Sequence, residues 1–222
     1  MNIAIDGPAG AGKSTIAKAA AKRLGYIYVD TGAMYRAIAL YIIENEIDVE
    51  NEAKVAEACS AIDIQIKYEQ NLQQVYLNGR NVSADIRKEA VGNMASRAAT
   101  KKTVRDRLLS LQRSIAAEHD VVMDGRDIGT FVLPKAEFKY YLTASVKTRA
   151  ERRYRELVEK GETPDMAQIE ADIEKRDYQD MHRDIAPLKQ AEDAVYIDSS
   201  NMTIDEVVEK ICSAIPITKE KK

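Results

Sequence analysis

Cysteine is scarce in this 222-residue chain: Cys59 and Cys212 stand far apart and neither has a C-x-x-C partner, so a reduced thiol state is expected. Histidine is as scarce, at two residues, which argues against a histidine-based metal site. No apolar run approaches the ~20 residues needed to span a bilayer. The 33 Lys and Arg are scattered among 36 Asp and Glu for a net charge of −3. No basic block is present, so no nucleic-acid partner is expected. Met1 is followed almost at once by an apolar segment, which leaves no room for a signal peptide. Internal repeats and low-complexity segments are absent too. These absences lead us to expect a soluble, cytoplasmic protein with no membrane partner. Its length suits one domain with an insertion, or two small domains.

What is present is concentrated near the start. Gly7-Pro8-Ala9-Gly10-Ala11-Gly12-Lys13-Ser14-Thr15 fits G-x-x-x-x-G-K-[ST] at every fixed position. In that pattern glycines let backbone N–H groups curl around phosphates, because no Cβ blocks positive φ or close approach. Lys13 would reach β- and γ-phosphate oxygens, and Ser14 would offer its hydroxyl to Mg²⁺. The context agrees. Asn2 to Asp6 reads as a short buried strand, and Ile16 to Leu24 as a helix ending before Gly25. The helix would direct its positive dipole end at the phosphates.

Further along, strands alternate with helices, which predicts a parallel α/β sheet. Tyr26 to Val29 reads as a strand, Met34 to Asn45 as a helix and Glu52 to Ala61 as another. The pattern then changes. Ile62 to Tyr68 and Gln74 to Leu77 alternate with period two, Asn78-Gly79 is a hairpin signal, and Arg80 to Val82 returns. This predicts a small antiparallel insert. Ile86 to about Ala99 and Thr103 to Glu118 read as helices, Val121 to Met123 and Phe138 to Leu142 as strands. Val146 to Lys160 and Met166 to Met181 read as charged helices, Ala194 to Ile197 as the last strand and Ile204 to Ile215 as the last helix. The expected architecture is an α/β, P-loop-type five-stranded parallel sheet flanked by helices, with an antiparallel insert at 62–99. The core spans 1–61 and 100–216, with a helical lid at about 149–185. The polar tail 217–222 is expected to be disordered.

In an open parallel sheet, ligands bind beyond the carboxyl ends of the strands. The residues there are the phosphate loop, Asp30-Thr31-Gly32 with Arg36 a turn later, and Asp124-Gly125-Arg126-Asp127. Asp30, Thr31 and Asp127 could be ordinary helix caps. Arg36 and Arg126 point instead to bound phosphate, since arginine caps poorly and binds phosphate in bidentate fashion. Arg149, Arg152 and Arg153 are spaced i, i+3, i+4. Arg176, Asp180 and Arg183 are spaced i, i+4, i+7, one face if the helix persists that far. Either cluster alone reads as a solvated surface. Beside a phosphate loop, an arginine-rich lid would neutralise a phosphoryl group in transfer and exclude water. No side chain stands out as a general base, and an anionic phosphate acceptor needs none.

These segments together resemble the bacterial cytidylate kinases. The resemblance rests on GPAGAGKST, on Val29-Asp30-Thr31-Gly32-Ala33-Met34-Tyr35-Arg36, on Asp124-Gly125-Arg126-Asp127-Ile128-Gly129-Thr130, and on Lys175 to Asp180 with Arg183 to Leu188. It runs from Asn2 to about Ile215, and the insert around Asn78-Gly79 looks like the family's enlarged CMP-binding domain. It implies ATP and CMP or dCMP as substrates, Mg²⁺ as cofactor and a monomer. Gly7 to Thr15 match the ATP phosphate loop, with Lys13 catalytic. Arg36 and Arg126 match acceptor-phosphate arginines, and Arg183 resembles another. Ser96, Arg105 and Asp127 match residues that read the cytosine edge, where a carboxylate can accept from the exocyclic amine. Asp30 and Thr31 belong to the same acceptor segment; serine is common in the family at position 31, and the hydroxyl is kept. Asp180 with Arg176 resembles a ribose-contacting pair. Arg149, Arg152 and Arg153 resemble lid arginines.

Other classes stay open at this level. A P-loop kinase acting on UMP, AMP or a sugar acid would share the fold, although the DGRD segment and the hairpin insert argue against it. A nucleotide-dependent switch is a second class; a guanine-specifying N-K-x-D segment is missing. A catalytically dead homologue is the third, and Lys13 with the arginine set argues against it.

Overall fold

Ile3, Ala4 and Ile5 are fully buried in β1 (Asn2–Asp6), an apolar strand at the centre of a sheet. The computed structural model describes residues 1–69 and 72–216. The tail expected at 217–222 lies outside the described residues. Two units divide the chain: Met1–Tyr28 with everything from Asp120 onward, and Val29–His119.

The first unit carries the sheet, in the order β2 (Ile27–Asp30), β6 (Val121–Gly125), β1, β7 (Phe138–Thr143), β8 (Val195–Asp198). The unit boundary falls within β2, after Tyr28. β1 pairs in parallel with both β6 and β7, and β7 in parallel with β8. The near-continuous apolar runs of β1 and β6 suit strands covered on both faces. α1 (Lys13–Leu24) and α8 (Ile204–Cys212) share a core with the sheet through Ile16, Ala20, Val207 and Ile211. Burying each such aliphatic side chain stabilises by about 1.5–3 kcal/mol. α6 (Val146–Glu159) and α7 (Met166–His182) form a smaller cluster through Ala150, Leu157 and Ile169.

The second unit holds α2 (Thr31–Glu44), α3 (Glu52–Ala61), α4 (Glu89–Ala98) and α5 (Lys102–Glu118) around buried Met34, Ile38, Ile42, Ile86 and Leu108. Its antiparallel sheet runs β3 (Ile64–Glu69), β4 (Leu72–Leu77), β5 (Arg80–Asn81). Asn78 and Gly79 both have positive φ, 49° and 79°, which is the mirror-image turn that a two-residue hairpin favours.

The expected fold is therefore observed, with shifted boundaries that have local causes. α1 begins at Lys13 rather than Ile16, because Gly12 in the left-handed region (φ 88°) ends the loop and starts the helix. α2 begins at Thr31, three residues early, because Asp30 caps it by accepting from the Ala33 N–H at 2.9 Å. The helix expected from Ile86 is split. A 3₁₀ turn covers Asp85–Arg87, Lys88 is extended, and α4 follows. α7 stops at His182, so Arg183 lies just past the helix end rather than on its face. α8 stops at Cys212, three residues before the expected end.

Candidate active site

The carboxyl ends of β1 and β6 are neighbours, with Asp6 opposite Gly125. From β1 the chain enters the phosphate loop at once. Gly7 has φ 151°, and a Cβ there would lie 1.9 Å from the Leu142 carbonyl oxygen, so no other residue fits. The Lys13 side chain is buried and its Nζ donates to the Pro8 carbonyl at 2.7 Å. Burial, and then the positive charge of Arg126, pull the Lys13 ammonium well below its ordinary range. A bound polyphosphate would reverse that pull by supplying negative charge.

Ser14 Oγ donates to Asp124 Oδ2 at 3.1 Å, and the Tyr28 hydroxyl donates to Asp124 Oδ1 at 2.8 Å. Asp124 is thus tied directly to the loop residue predicted to meet the metal. By sequence alone Asp124 lies at the site without a role of its own. Its position as the last acidic residue of a buried strand beside the loop is the signal that could have assigned one. A hydroxyl and a carboxylate are hard oxygen donors, the chemistry that suits Mg²⁺.

Past β6, two ion pairs join the turn after the strand to α7 and the residues beyond it. Arg126 Nε donates to Asp180 Oδ2 at 2.8 Å, and Arg183 donates to Asp127 Oδ1 at 3.2 Å. Arg183 also donates through Nε to the Ala186 carbonyl at 2.7 Å. Burial alone would raise the Asp180 carboxyl, but Arg126, then Arg176 and Arg183, hold it below the usual carboxylate range. Asp127 makes no cap bond to the turn that follows it, so the capping alternative does not hold there.

The three arginines of α6 differ. Arg149 is turned inward: Nε donates to the Ala144 carbonyl, one Nη to the Ala9 carbonyl at 3.0 Å, and both Nη to Asp177 at 3.0 and 2.5 Å. Ala9 is part of the phosphate loop, so Arg149 braces the loop from behind. Arg152 donates to the Ser199 carbonyl at 2.9 Å. Arg153 is partly exposed and reaches Glu156 at only 3.5 Å.

In the second unit, Asp30 accepts from Ala33 and also from Arg87 at 3.2 Å, so its capping role is real. Thr31 is buried as the first residue of α2. Arg36 donates to the Ile86 carbonyl at 2.9 Å and lies across Gly92 of α4, where a Cβ would sit 3.0 Å from the guanidinium. Ser96, half-buried, is one turn further along α4. Arg105 of α5 is buried, with its guanidinium 5.8 Å from the centre of the Tyr35 ring. The structure therefore groups Lys13, Ser14, Arg126, Asp127, Asp180 and Arg183 in one unit, and Asp30, Thr31, Arg36, Ser96 and Arg105 in the other.

Known proteins bear on this geometry. The family model described as cytidylate kinase matches residues 3–217. The chain belongs to the cytidylate kinase family. The cytidylate kinase of Lactobacillus johnsonii is 51% identical over 215 residues, covering 97% of this chain and 94% of that protein. That of Caldicellulosiruptor saccharolyticus is 51% identical over 211 residues, 95% and 93% of the two chains. That of Bacillus cytotoxicus is 46% identical over 221 residues, 100% and 98%. A crystal structure of an uncharacterized protein from Eubacterium ventriosum superposes with a TM-score of 0.52 at 12% identity over 96% of this chain and 97% of that one, a likeness of fold alone. Membership of the cytidylate kinase family makes the chain an enzyme of nucleotide phosphorylation. Among the described residues no helix is long and apolar enough to cross a membrane.

Proposed function

We propose that this enzyme transfers the γ-phosphoryl group of ATP to CMP or dCMP, giving ADP and CDP or dCDP. An oxygen of the acceptor phosphate forms a bond to the γ-phosphorus as the bond to the β,γ-bridging oxygen breaks. The carrying observation is the family match across nearly the whole chain, on a unit that places a Lys13-bearing phosphate loop beside the Arg126 and Arg183 pairs.

Residues 7–15 hold the phosphates of ATP through backbone N–H groups, and Lys13 leaves the Pro8 carbonyl to meet the β/γ oxygens. Ser14 and Asp124 would hold Mg²⁺, which would neutralise phosphate charge there. Arg126 and Arg183 donate to the acceptor phosphate while staying paired with Asp180 and Asp127. Arg152 and Arg153 close from a lid at about 149–185 to stabilise charge in the transition state and exclude water. Asp30, Thr31 and Arg36 receive the acceptor, and Ser96, Arg105 and Asp127 read its base. Arg176 and Asp180 meet the ribose. The antiparallel segment at 62–99 serves the acceptor nucleotide. We assign the working protein to the cytoplasm as a monomer without nucleic-acid or membrane partners.

The test is ADP formation from ATP and Mg²⁺ with each of CMP, dCMP, UMP, AMP and GMP in turn. Fast turnover confined to CMP and dCMP is expected. Turnover with another acceptor keeps the phosphate site and discards the base-reading roles. Absence of acceptor-dependent turnover overturns the reading.

A further inference from the structure

Asp6 is the last residue of β1, 4% exposed, and no role has been given to it so far. Its two carboxylate oxygens are both engaged by one short segment. Oδ1 accepts from the Ile128 N–H at 2.7 Å and Oδ2 from the Gly129 N–H at 2.7 Å. Those two amides begin the turn Ile128–Val132, which is wound as a single π-helical turn. The Val132 and Leu133 N–H groups reach back five residues to Asp127 and Ile128 carbonyls at 3.1 and 2.7 Å. Such turns leave their first N–H groups without intrahelical partners. The usual donor of relief, the side chain of the residue before the turn, is Asp127, and it makes no such bond. Asp127 instead accepts from Arg183. A carboxylate on the neighbouring strand takes over the cap and leaves the Asp127 side chain to other work.

The approach is close. A Cβ at residue 129 would lie 3.2 Å from Lys139 Cδ and 3.4 Å from Asp6 Oδ2. The residue on the other side of Asp6 is Gly7, the first of the phosphate loop. One side chain therefore links the start of that loop to the exit of β6, from which Arg126 and Asp127 project. Keeping a carboxylate here is costly, because burial raises the Asp6 carboxyl to about 6 in spite of its two N–H partners. A purely structural cap could sit on Asp127 itself at lower cost.

We propose that Asp6 is a positioning residue for phosphoryl transfer: by capping the turn at Ile128 and Gly129 it aims Asp127 and Arg126 at the acceptor. This rests on the reading of Asp127 as an acceptor-facing residue. Asp6→Asn presents an amide NH₂ to one of the two N–H groups and loses that bond, while keeping shape. The experiment measures kcat, KM for ATP, and the CMP-to-UMP ratio of kcat/KM for wild type, Asp6→Asn, Asp127→Ala and the double variant. For Asp6→Asn we expect kcat/KM for CMP to fall on the order of 100-fold, as misplacement of a reacting group by about 1 Å does. KM for ATP stays unchanged and the CMP preference narrows. In the double variant the preference falls no further than in Asp127→Ala alone, because Asp6 acts through Asp127. An equal loss for both acceptors in Asp6→Asn, or additive losses in the double variant, overturns the proposal and leaves the Asp127 assignment standing. An unchanged preference in Asp127→Ala removes both. Wild-type protein offers a check that needs no variant: the Ile128 and Gly129 amides should exchange with solvent as slowly as those of β1 and β6, and fast exchange at either overturns the cap.

Discussion

Two groups of arginines in the same unit use their donors in opposite ways. At the start of α6, Arg149 gives its guanidinium to Asp177 and to two backbone carbonyls, one of them in the phosphate loop. Beyond β6, Arg126 and Arg183 pair with Asp180 and Asp127, carboxylates that we assign to the acceptor nucleotide. The first arrangement is a brace, whose worth lies in staying made. The second is a set of charges holding one another in place until a ligand shares them. Identical residue types in one unit thus divide into scaffold and machinery, and it is their partners that tell them apart.

The sharpest way to break this comparison is Arg149→Ala. It strands Asp177, whose side chain is 13% exposed, and removing one partner of a buried pair costs about 3–5 kcal/mol. Urea denaturation should show that loss, and Arg149→Met with Asp177→Leu should recover most of it. A loss under about 1 kcal/mol would move Arg149 among the lid arginines. Next in size, Arg126→Lys keeps the charge beside Asp180 and loses the planar fork. Turnover should fall on the order of 10²–10³-fold with little change in urea midpoint. A variant that loses stability but not turnover would make Arg126 a second brace.

Asp6→Asn sharpens the comparison through pH. The folded protein holds the Asp6 carboxyl at about 6, against an ordinary 3.8, with Asp127 and Lys13 facing it and Ile128 and Gly129 N–H bonded to it. A raised carboxyl favours folding fully below about 3.8, and that contribution is lost as pH rises through about 6. The gap corresponds to on the order of 3 kcal/mol. Unfolding free energies measured from pH 4 to 7 should therefore rise more steeply with pH, or fall less, in Asp6→Asn than in wild type. Parallel curves would contradict the shift. The smallest effect is expected of Arg153→Ala. With a side chain 37% exposed to solvent, its stability change should stay within about 0.5 kcal/mol, so any fall in turnover reports on the lid rather than on folding.

Much of the architecture was readable from period and punctuation. The alternation of buried strands with helices, the Gly25 helix end and the Asn78-Gly79 turn all sit where local chemistry predicts them. The phosphate loop was readable for the same reason, since its glycines and Lys13 are contiguous. What escaped is what depends on strands meeting in space. Asp6 and Gly129 are 123 residues apart, and only the β1–β6 pairing makes one the cap of the other. Ser14 and Asp124 are 110 apart and joined by the same pairing. The inward turn of Arg149 was hidden too, because spacing identifies a helix face and leaves open which residue finds a buried carboxylate.

The division of the chain carries a consequence for how it is made. The second unit is one uninterrupted stretch, Val29–His119, whereas the first is assembled from the pieces on either side. A ribosome working at about 5–20 residues per second completes that whole stretch before either neighbour of β1 has emerged. β1 and its glycine-rich loop therefore wait roughly 6–25 seconds for β6, with Ile3, Ala4 and Ile5 unpaired in the meantime. The segment that defines the enzyme's chemistry is synthesised well before the two strands that flank it in the sheet and finds its place only when they arrive. A chaperone that shields short apolar strands would act on it first.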